Sequence, residues 1–428
     1  MSHAARANTL LTLIAIFLLT LAPRAALSAG VTPLFDLKLD PPVVSISELN
    51  SSGALLAVRL GHGSNVPTGV VSIDKRGRLT SVEEFSSDET ITVPSKRLAI
   101  AGLPPGDKSV RLPVVERRVS VSGNGETYTV AAMTKGAYYE VRHKDKDGRL
   151  LFMTAPRDSF GLTAVVVSFD GSRVLVADEN PSGPLPGQRL YFYDAEGALL
   201  AEHDMGPDPL DWLNVSEGLM AKDGGYFVAT RGKEGGESVV FFDSGGYIAW
   251  EKRFYKTHKL LEDLGGIFMV DGGSRTFLSY VTATGELRLI ERAGYGFDLA
   301  VSEDKDRVCV LMFRSFDFVK SGLEERITQV FPKAKVTVVD VNALLPEGGI
   351  RPGAVVAPDG KAFIHTSLAP VSKGVWQASV GYYDMAKNEL WRDRFFDTAV
   401  SALFTDQSRC FALTFGYPVA RIRYYEMR

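Results

Sequence analysis

Short apolar runs alternate with small polar turns along this chain, and between Ala164 and Phe254 the same arrangement is written twice. The first copy reads VVVSFDGSRVLVA and then RLYFYDAEGALLAEHD; the second reads GLMAKDGGYFVAT and then SVVFFDSGGYIAWEKRF. In each, a run reaches Asp-Gly (Asp170-Gly171, Asp223-Gly224) and a second run leaves it. Asp-Gly between two such runs predicts a hairpin, because glycine accepts the positive φ of a tight turn. A second hairpin follows around Asp-x-x-Gly, at Asp194/Gly197 and Asp243/Gly246. The predicted unit is therefore four short strands, recurring about every 50 residues.

The rhythm extends over the rest of the chain. First-hairpin turns are expected at Ser52-Gly53, Asn124-Gly125, Asp170-Gly171, Asp223-Gly224, Asp271-Gly272, Asp304-Lys305, Asp359-Gly360 and Asp406-Gln407. The second hairpin obeys a tighter rule, Asp-x-x-Gly-x-Leu/Ile, at Asp74-Gly77-Leu79, Asp145-Gly148-Leu150, Asp194-Gly197-Leu199 and Asp243-Gly246-Ile248. Thr282-Gly285-Leu287 is a variant, and Asp384 with Leu390 and Trp391 a looser member. Gly148, Gly197 and Gly246 stand 49 residues apart in each step. The fold class predicted is all-β: a single β-propeller of four-stranded antiparallel blades, eight or seven in number, over residues 30–428. The last repeat stops before its fourth strand, and Pro33–Leu39 (PLFDLKL) is unassigned. Pairing that stretch with Ala420–Met427 would close the ring and remove two open sheet edges.

Three stretches interrupt the pattern. The proline-rich segment Ser86–Glu116 reads as an inserted loop or hairpin. Tyr255–Gly266 reads as one or two helical turns ending at Gly-Gly. Ser321–Phe331 reads as a helix with Ser321 and Glu324 as a capping box and Leu323, Ile327 and Val330 on one face. Joining the second and third strands of the sixth repeat, that helix is expected over the long-loop face.

Residues 1–29 have the layout of a secretory signal peptide: a short polar start with Arg6, an apolar run Thr9–Ala22, Pro23, then small residues to Ser28 and Ala29. The expected location is the periplasm or the exterior, with no membrane insertion retained after cleavage. The composition, 45% hydrophobic and 23% charged with a formal net charge of −3, is that of a globular protein and carries no basic excess for nucleic acid. The two cysteines, Cys309 and Cys410, fall on corresponding strands of non-adjacent repeats, too far apart for a disulfide, and read as buried thiols.

Propeller geometry sends the connections between second and third strands, and those between blades, to one face. Nearly all the long loops of this chain belong to that set, and rigidly held loops are where binding residues concentrate. The candidate binding residues there are Arg59, His62, Lys135, Asp178, Arg231, Arg314, His365 and Tyr417. No G-x-S-x-G or H-E-x-x-H motif is present, and the six histidines are scattered singly, so no catalytic, metal or cofactor site is predicted. Asp145-Lys-Asp147-Gly148 lacks the remainder of a calcium loop and reads as a turn.

The stretch Asp243-Ser-Gly-Gly246-Tyr-Ile248-Ala-Trp250, echoed by Leu390-Trp391, resembles the end of the quinoprotein-like (PQQ-type) propeller repeat. That resemblance implies tryptophans docking one blade onto the next. The dehydrogenase branch's vicinal cysteine pair and calcium site have no counterpart in the sequence. WD40 repeats are the related comparison, without their Gly-His and Trp-Asp pairs. The function expected is an exported binding or scaffold propeller whose partner is a protein, peptide or glycan of the cell envelope. The alternative is a channel-centred enzyme: a lyase, a hydrolase or a degenerate quinoprotein.

Overall fold

The computed structural model describes residues 30–427 apart from 95–108, 135–137, 157–160, 181–186, 210–211, 234–235, 255–256, 263–265, 272–275, 294–296, 302–305, 313–318, 342–343, 345–349, 374, 397–398 and 407–408. The expected signal peptide, residues 1–29, lies outside this set. The first unit holds β1 (Val31–Val44), β2 (Ala54–Leu60), β3 (Pro67–Asp74) and β4 (Leu79–Glu84). The second holds β5 (Thr90–Pro94), β6 (Ser109–Val121), β7 (Thr127–Thr134), β8 (Tyr139–Asp145) and β9 (Leu150–Thr154). The third is β10 (Gly161–Val167), β11 (Arg173–Asn180), β12 (Gly187–Asp194) and β13 (Leu199–Asp204). The fourth is β14 (Leu213–Met220), β15 (Phe227–Lys233), β16 (Gly236–Phe242) and β17 (Ile248–Phe254). The fifth is β18 (Thr257–Glu262), β19 (Gly266–Asp271), β20 (Thr276–Thr282) and β21 (Leu287–Ala293). The sixth is β22 (Phe297–Val301), β23 (Arg307–Met312), helix α1 (Val319–Val330) and β24 (Lys335–Asp340). The seventh is β25 (Ile350–Val356), β26 (Ala362–Ser372), β27 (Val375–Asp384) and β28 (Glu389–Phe396). The chain ends with β29 (Val400–Asp406), β30 (Cys410–Phe415) and β31 (Val419–Met427).

Successive sheets touch through one strand each, β6 against β10 and then β14, β18, β22, β25 and β29 in turn. The ring closes through β1. Its first half pairs antiparallel with β31, from Val31↔Met427 to Lys38↔Arg421, and its end pairs with β2 at Val43↔Arg59 and Val44↔Val58. The last and first units thus form one seven-stranded sheet. This is the closure expected of Pro33–Leu39. Asp36 locks it from outside through ion pairs to Arg421 (2.5 Å) and Arg423 (2.7 Å). Partial burial pushes the Asp36 carboxyl up, but the two guanidinium groups outweigh it and hold its pKa below the usual value.

The repeat motif has two jobs. At Asp74, Asp145, Asp194, Asp243 and Asp384 the carboxylate Oδ1 accepts N–H bonds from residues two and four further on, at 2.7–3.1 Å, which fixes the turn. The glycine then serves the neighbouring sheet. A Cβ on Gly77, Gly197 or Gly285 would lie 2.9, 2.6 or 2.9 Å from the ring of Phe35, Phe152 or Trp250 on the preceding unit's outer strand. Trp250 also donates its Nε1–H to Ala283 O at 3.1 Å. The seventh unit breaks the rule with Lys387 at φ +68°. Among the described residues the sixth sheet has no fourth strand, so no outer-strand ring docks there and a side chain fits.

Four expectations are corrected. Asp271 ends β19, so Asp271-Gly272 joins the second and third strands of its unit rather than the first two. The first two strands of the fifth unit are β18 and β19. Thr257–Glu262 is a strand, not helical turns, because its pairing with β19 (Lys259↔Val270 to Glu262↔Ile267) overrides a locally helical composition. The helix begins at Val319, so Ser321 lies inside it and is no cap. Nor does the helix sit over a loop face. It returns the chain so that β24 pairs parallel with β23, and it packs on β21 and β24 at the outer rim. Its rise of about 18 Å matches the length of a six-residue strand. Ile327 is buried in this contact, and Phe331 meets Tyr280 edge-on at 4.8 Å; the side chain of Leu323 and the turn Asp304-Lys305 lie outside the described residues. The segment Ser86–Glu116 contributes a hairpin, β5 against β6. Both cysteines are buried and free.

Two tests follow from closure and docking. Deleting Val31–Leu39 uncovers β31 and β2 and should lower the melting temperature by more than ~5 °C; calorimetry giving a shift within ~2 °C would contradict the closure. Gly197→Ala forces a methyl into Phe152 and should cost about 2 kcal/mol or more, whereas Lys387→Gly should stabilise by roughly 0.5–1 kcal/mol. Urea denaturation of the two variants checks the contrast.

Candidate functional site

The residues expected at the long-loop face are held separately. Arg59, at the end of β2, pairs with Glu84 at 3.2 Å, and Arg231, on β15, pairs with Glu251. His62 is exposed beside Asp40 at 3.3 Å. Tyr417 stands almost fully exposed, 91%, in the β30–β31 turn. Asp178 is buried, its Oδ2 accepting the Tyr139 hydroxyl at 3.1 Å across the second and third sheets. Burial, then the Asp178 charge, push the Tyr139 hydroxyl pKa well up. Lys135 and Arg314 lie outside the described residues.

His365 is different. In the sheets that precede and follow it, the second strand faces the preceding sheet with a large apolar residue and then a small or aliphatic one. These pairs are Leu55 and Ala57, Tyr128 and Val130, Val174 and Val176, Phe227 and Ala229, Phe411 and Leu413, all buried. In the seventh sheet Phe363 keeps the first place, stacked on Tyr383 at 5.4 Å, and His365 takes the second. It is 3% exposed, and its buried Nε2 has no hydrogen-bond partner among the described residues. The polar substitution continues along the same flank with Ser367, Gln377 and Ser379. At Gly381 the side chain is missing altogether, where the third and fourth sheets have Tyr191 and Val240.

These residues line a cleft of about 410 Å³, completed by Leu344, Tyr383, Arg392 and Arg394. Its lining holds two arginines and no carboxylate. Arg392 donates to the Tyr383 hydroxyl at 2.9 Å and pairs with Glu389 at 2.5 Å behind the cleft. Burial works against the Arg392 charge, but these two partners more than restore it. Burial, aided by the Arg392 charge, lowers the His365 pKa to about 4, so the imidazole is neutral at pH 7. The cleft can thus offer fixed positive charge, a neutral imidazole and several hydroxyl and amide hydrogen bonds to an anionic or polar ligand. Among the described residues no group of three or more His, Cys, Asp or Glu side chains is placed to hold a metal ion. Of the expected residues only His365 belongs to the cleft. The others that line it were legible only as polar residues recurring at alternate positions where other repeats place aliphatic ones.

The closed ring of radially arranged sheets is a β-propeller, the class the repeats implied. No family model matches the chain, and no curated protein matches it. It is similar to the WD40 domain of SCAP from fission yeast, at 10% identity over 93% of this chain and 97% of that one, with a TM-score of 0.44. It is similar to a prolyl endopeptidase at 11% identity over 87% of this chain and 54% of that one, with a TM-score of 0.46. For TolB from Acinetobacter baumannii the figures are 15%, 61% and 56%, with a TM-score of 0.32. None of these likenesses lends the chain a function.

The buried histidine predicts an acid-sensitive cleft. The unfolded chain takes up a proton on this residue near pH 6.5, whereas the folded protein resists until about pH 4. A lowered folded pKa means that stability present above pH 6.5 is lost as the pH falls through that window. Between about pH 7.5 and about pH 5 the loss from His365 should be on the order of 2 kcal/mol. His365→Gln should remove that part of the slope, leaving the similar contribution of His143. Urea midpoints of the two proteins at both pH values decide it; parallel slopes would show that His365 is not held neutral by the fold.

Proposed function

We propose that this protein is an exported β-propeller acting as a binding module, with its partner seated in the cleft on the flank of the seventh sheet. The observation that carries this reading is the buried, unpartnered His365 Nε2 in a cleft that carries two arginines and no acid. Buried polar atoms in folded proteins nearly always have partners, so an unpartnered one within the wall of a cleft of ligand size favours a bound group. The strand order supports eight units in the ring, with the last completed by β1. The N-terminal layout of residues 1–29 supports export, and the partner expected is a protein, peptide or glycan of the cell envelope. No helix among the described residues is long and apolar enough to cross a membrane.

The test combines location and binding. Cell fractionation with N-terminal sequencing should find the chain outside the cytoplasm and starting near Ala29. Ser379→Trp fills the cleft without touching the repeat turns. It should leave the melting temperature within ~2 °C of the native protein and abolish co-purification of envelope partners. Retention of every partner by the filled variant would refute the cleft as the binding site.

A further inference from the structure

The cleft borders the sixth sheet, where Val339 of β24 shares a cluster with Tyr383 and Leu344. Among the described residues every other sheet has at least four strands, but the sixth has β22, β23 and β24 only, and no strand pairs with the free edge of β24. Crossing over through α1 makes β24 parallel to β23. The next sheet matches this shortage: polar residues line its flank, and Lys387 stands at the turn where other units have a docking glycine.

The first and second sheets show what an outer strand does at such a polar flank. The second sheet also presents cations to its predecessor, Arg142 and Lys144 on β8. They are satisfied by carboxylates: Glu83 of the outer strand β4 reaches Lys144 at 2.5 Å and accepts the Tyr128 hydroxyl at 2.7 Å, and Glu89 pairs with Arg142. An outer strand bearing an acid therefore closes a cationic flank in this molecule. At the seventh sheet the cations are Arg392 and Arg394, and among the described residues Arg394 has no acidic partner.

Resting on the reading of the cleft as the binding site, we propose that the open edge of β24 and the cleft together take an extended peptide as a fourth strand of the sixth sheet, with a carboxylate side chain directed at Arg392 and Arg394. β24 offers a six-residue edge, about 20 Å of main chain with no strand paired to it among the described residues. Main-chain pairing along such an edge supplies affinity, and side chains at alternate positions supply specificity. The acid meets the arginines by charge complementarity, and Ser367, Gln377 and Ser379 line the same face to hydrogen-bond polar side chains. A small free acid would engage the arginines but leave the edge of β24 open, so the peptide uses both features at once.

The test is selection of a displayed library of random ten-residue peptides on the full chain, followed by affinity measurement with synthetic copies. Enriched peptides should alternate β-branched residues with polar ones and carry Asp or Glu. The exposed substitution Arg394→Ala should weaken them several-fold, and Arg392→Ala with Arg394→Ala at least tenfold, with unchanged circular dichroism confirming the fold. N-methylation of one alternate set of peptide amides should abolish binding, while methylation of the interleaved set is tolerated. The proposal is overturned by failure to enrich any peptide, by equal binding to the arginine variants, or by indifference to N-methylation. If the library fails while Ser379→Trp still abolishes partner capture, the cleft reading stands and the strand inference falls. If Ser379→Trp leaves partner capture intact, the cleft reading itself falls.

Discussion

A sheet that is apolar on both faces cannot end in solvent, and that constraint governs this molecule. Leu55 and Ala57 face back toward Cys410, Ala412, Ile422 and Tyr424, while Leu56 and Val70 face forward toward Tyr128 and Val130. Each sheet is thus half of two cores, and any sheet at the end of a row would leave one core half-built. The arrangement that ends nowhere is a ring. Backbone hydrogen bonds carry it around the first-hairpin turns, where Leu49 donates to Thr405, Glu48 to Gly123, Asn124 to Phe169 and Asp170 to Lys222.

Most of this was readable from the residues because turns are local. An Asp whose carboxylate caps its own turn, followed by a glycine at positive φ, announces itself within four positions, and its spacing then counts the units. Phase was harder. Asp271 stands before a glycine in a strand–turn–strand context like the others, and only its pairing partners show that two strands precede it in the unit. Thr257–Glu262 carries Lys, Leu and Glu in helical company and is a strand because an edge waits for it. Both errors arise where long-range pairing decides between local alternatives of similar free energy.

The cleft was less legible for a related reason. The residue pattern points to the long-loop face, and His365 falls among the polar residues expected there. What makes it exceptional is that the neighbouring unit has only three strands among the described residues, a feature of the sixth repeat rather than of the seventh. Arg392 and Arg394 look like ordinary polar positions of an outer strand until the sheet that should cover the flank is seen to stop at β24. The recurring Leu/Ile of the motif misled in the opposite sense: Leu79, Leu150, Leu199, Ile248 and Leu287 remain 42–50% exposed, while the glycine two places before lies against the neighbouring sheet.

The double membership of β1 sets an order of events in time. Its end joins β2 across a short turn, a pairing available as soon as those residues have been synthesised. Its beginning must wait for β31, and Asp36 meets Arg421 385 residues further along the chain. Loop closure over that distance is entropically expensive and comes last among the contacts of the ring. Until the final nine-residue strand is complete, Phe35 and Leu37 have no sheet to join, and β2 stands beside a half-formed neighbour. A chain interrupted shortly before its C-terminus would therefore carry many formed sheets and still be an open, adhesive arc.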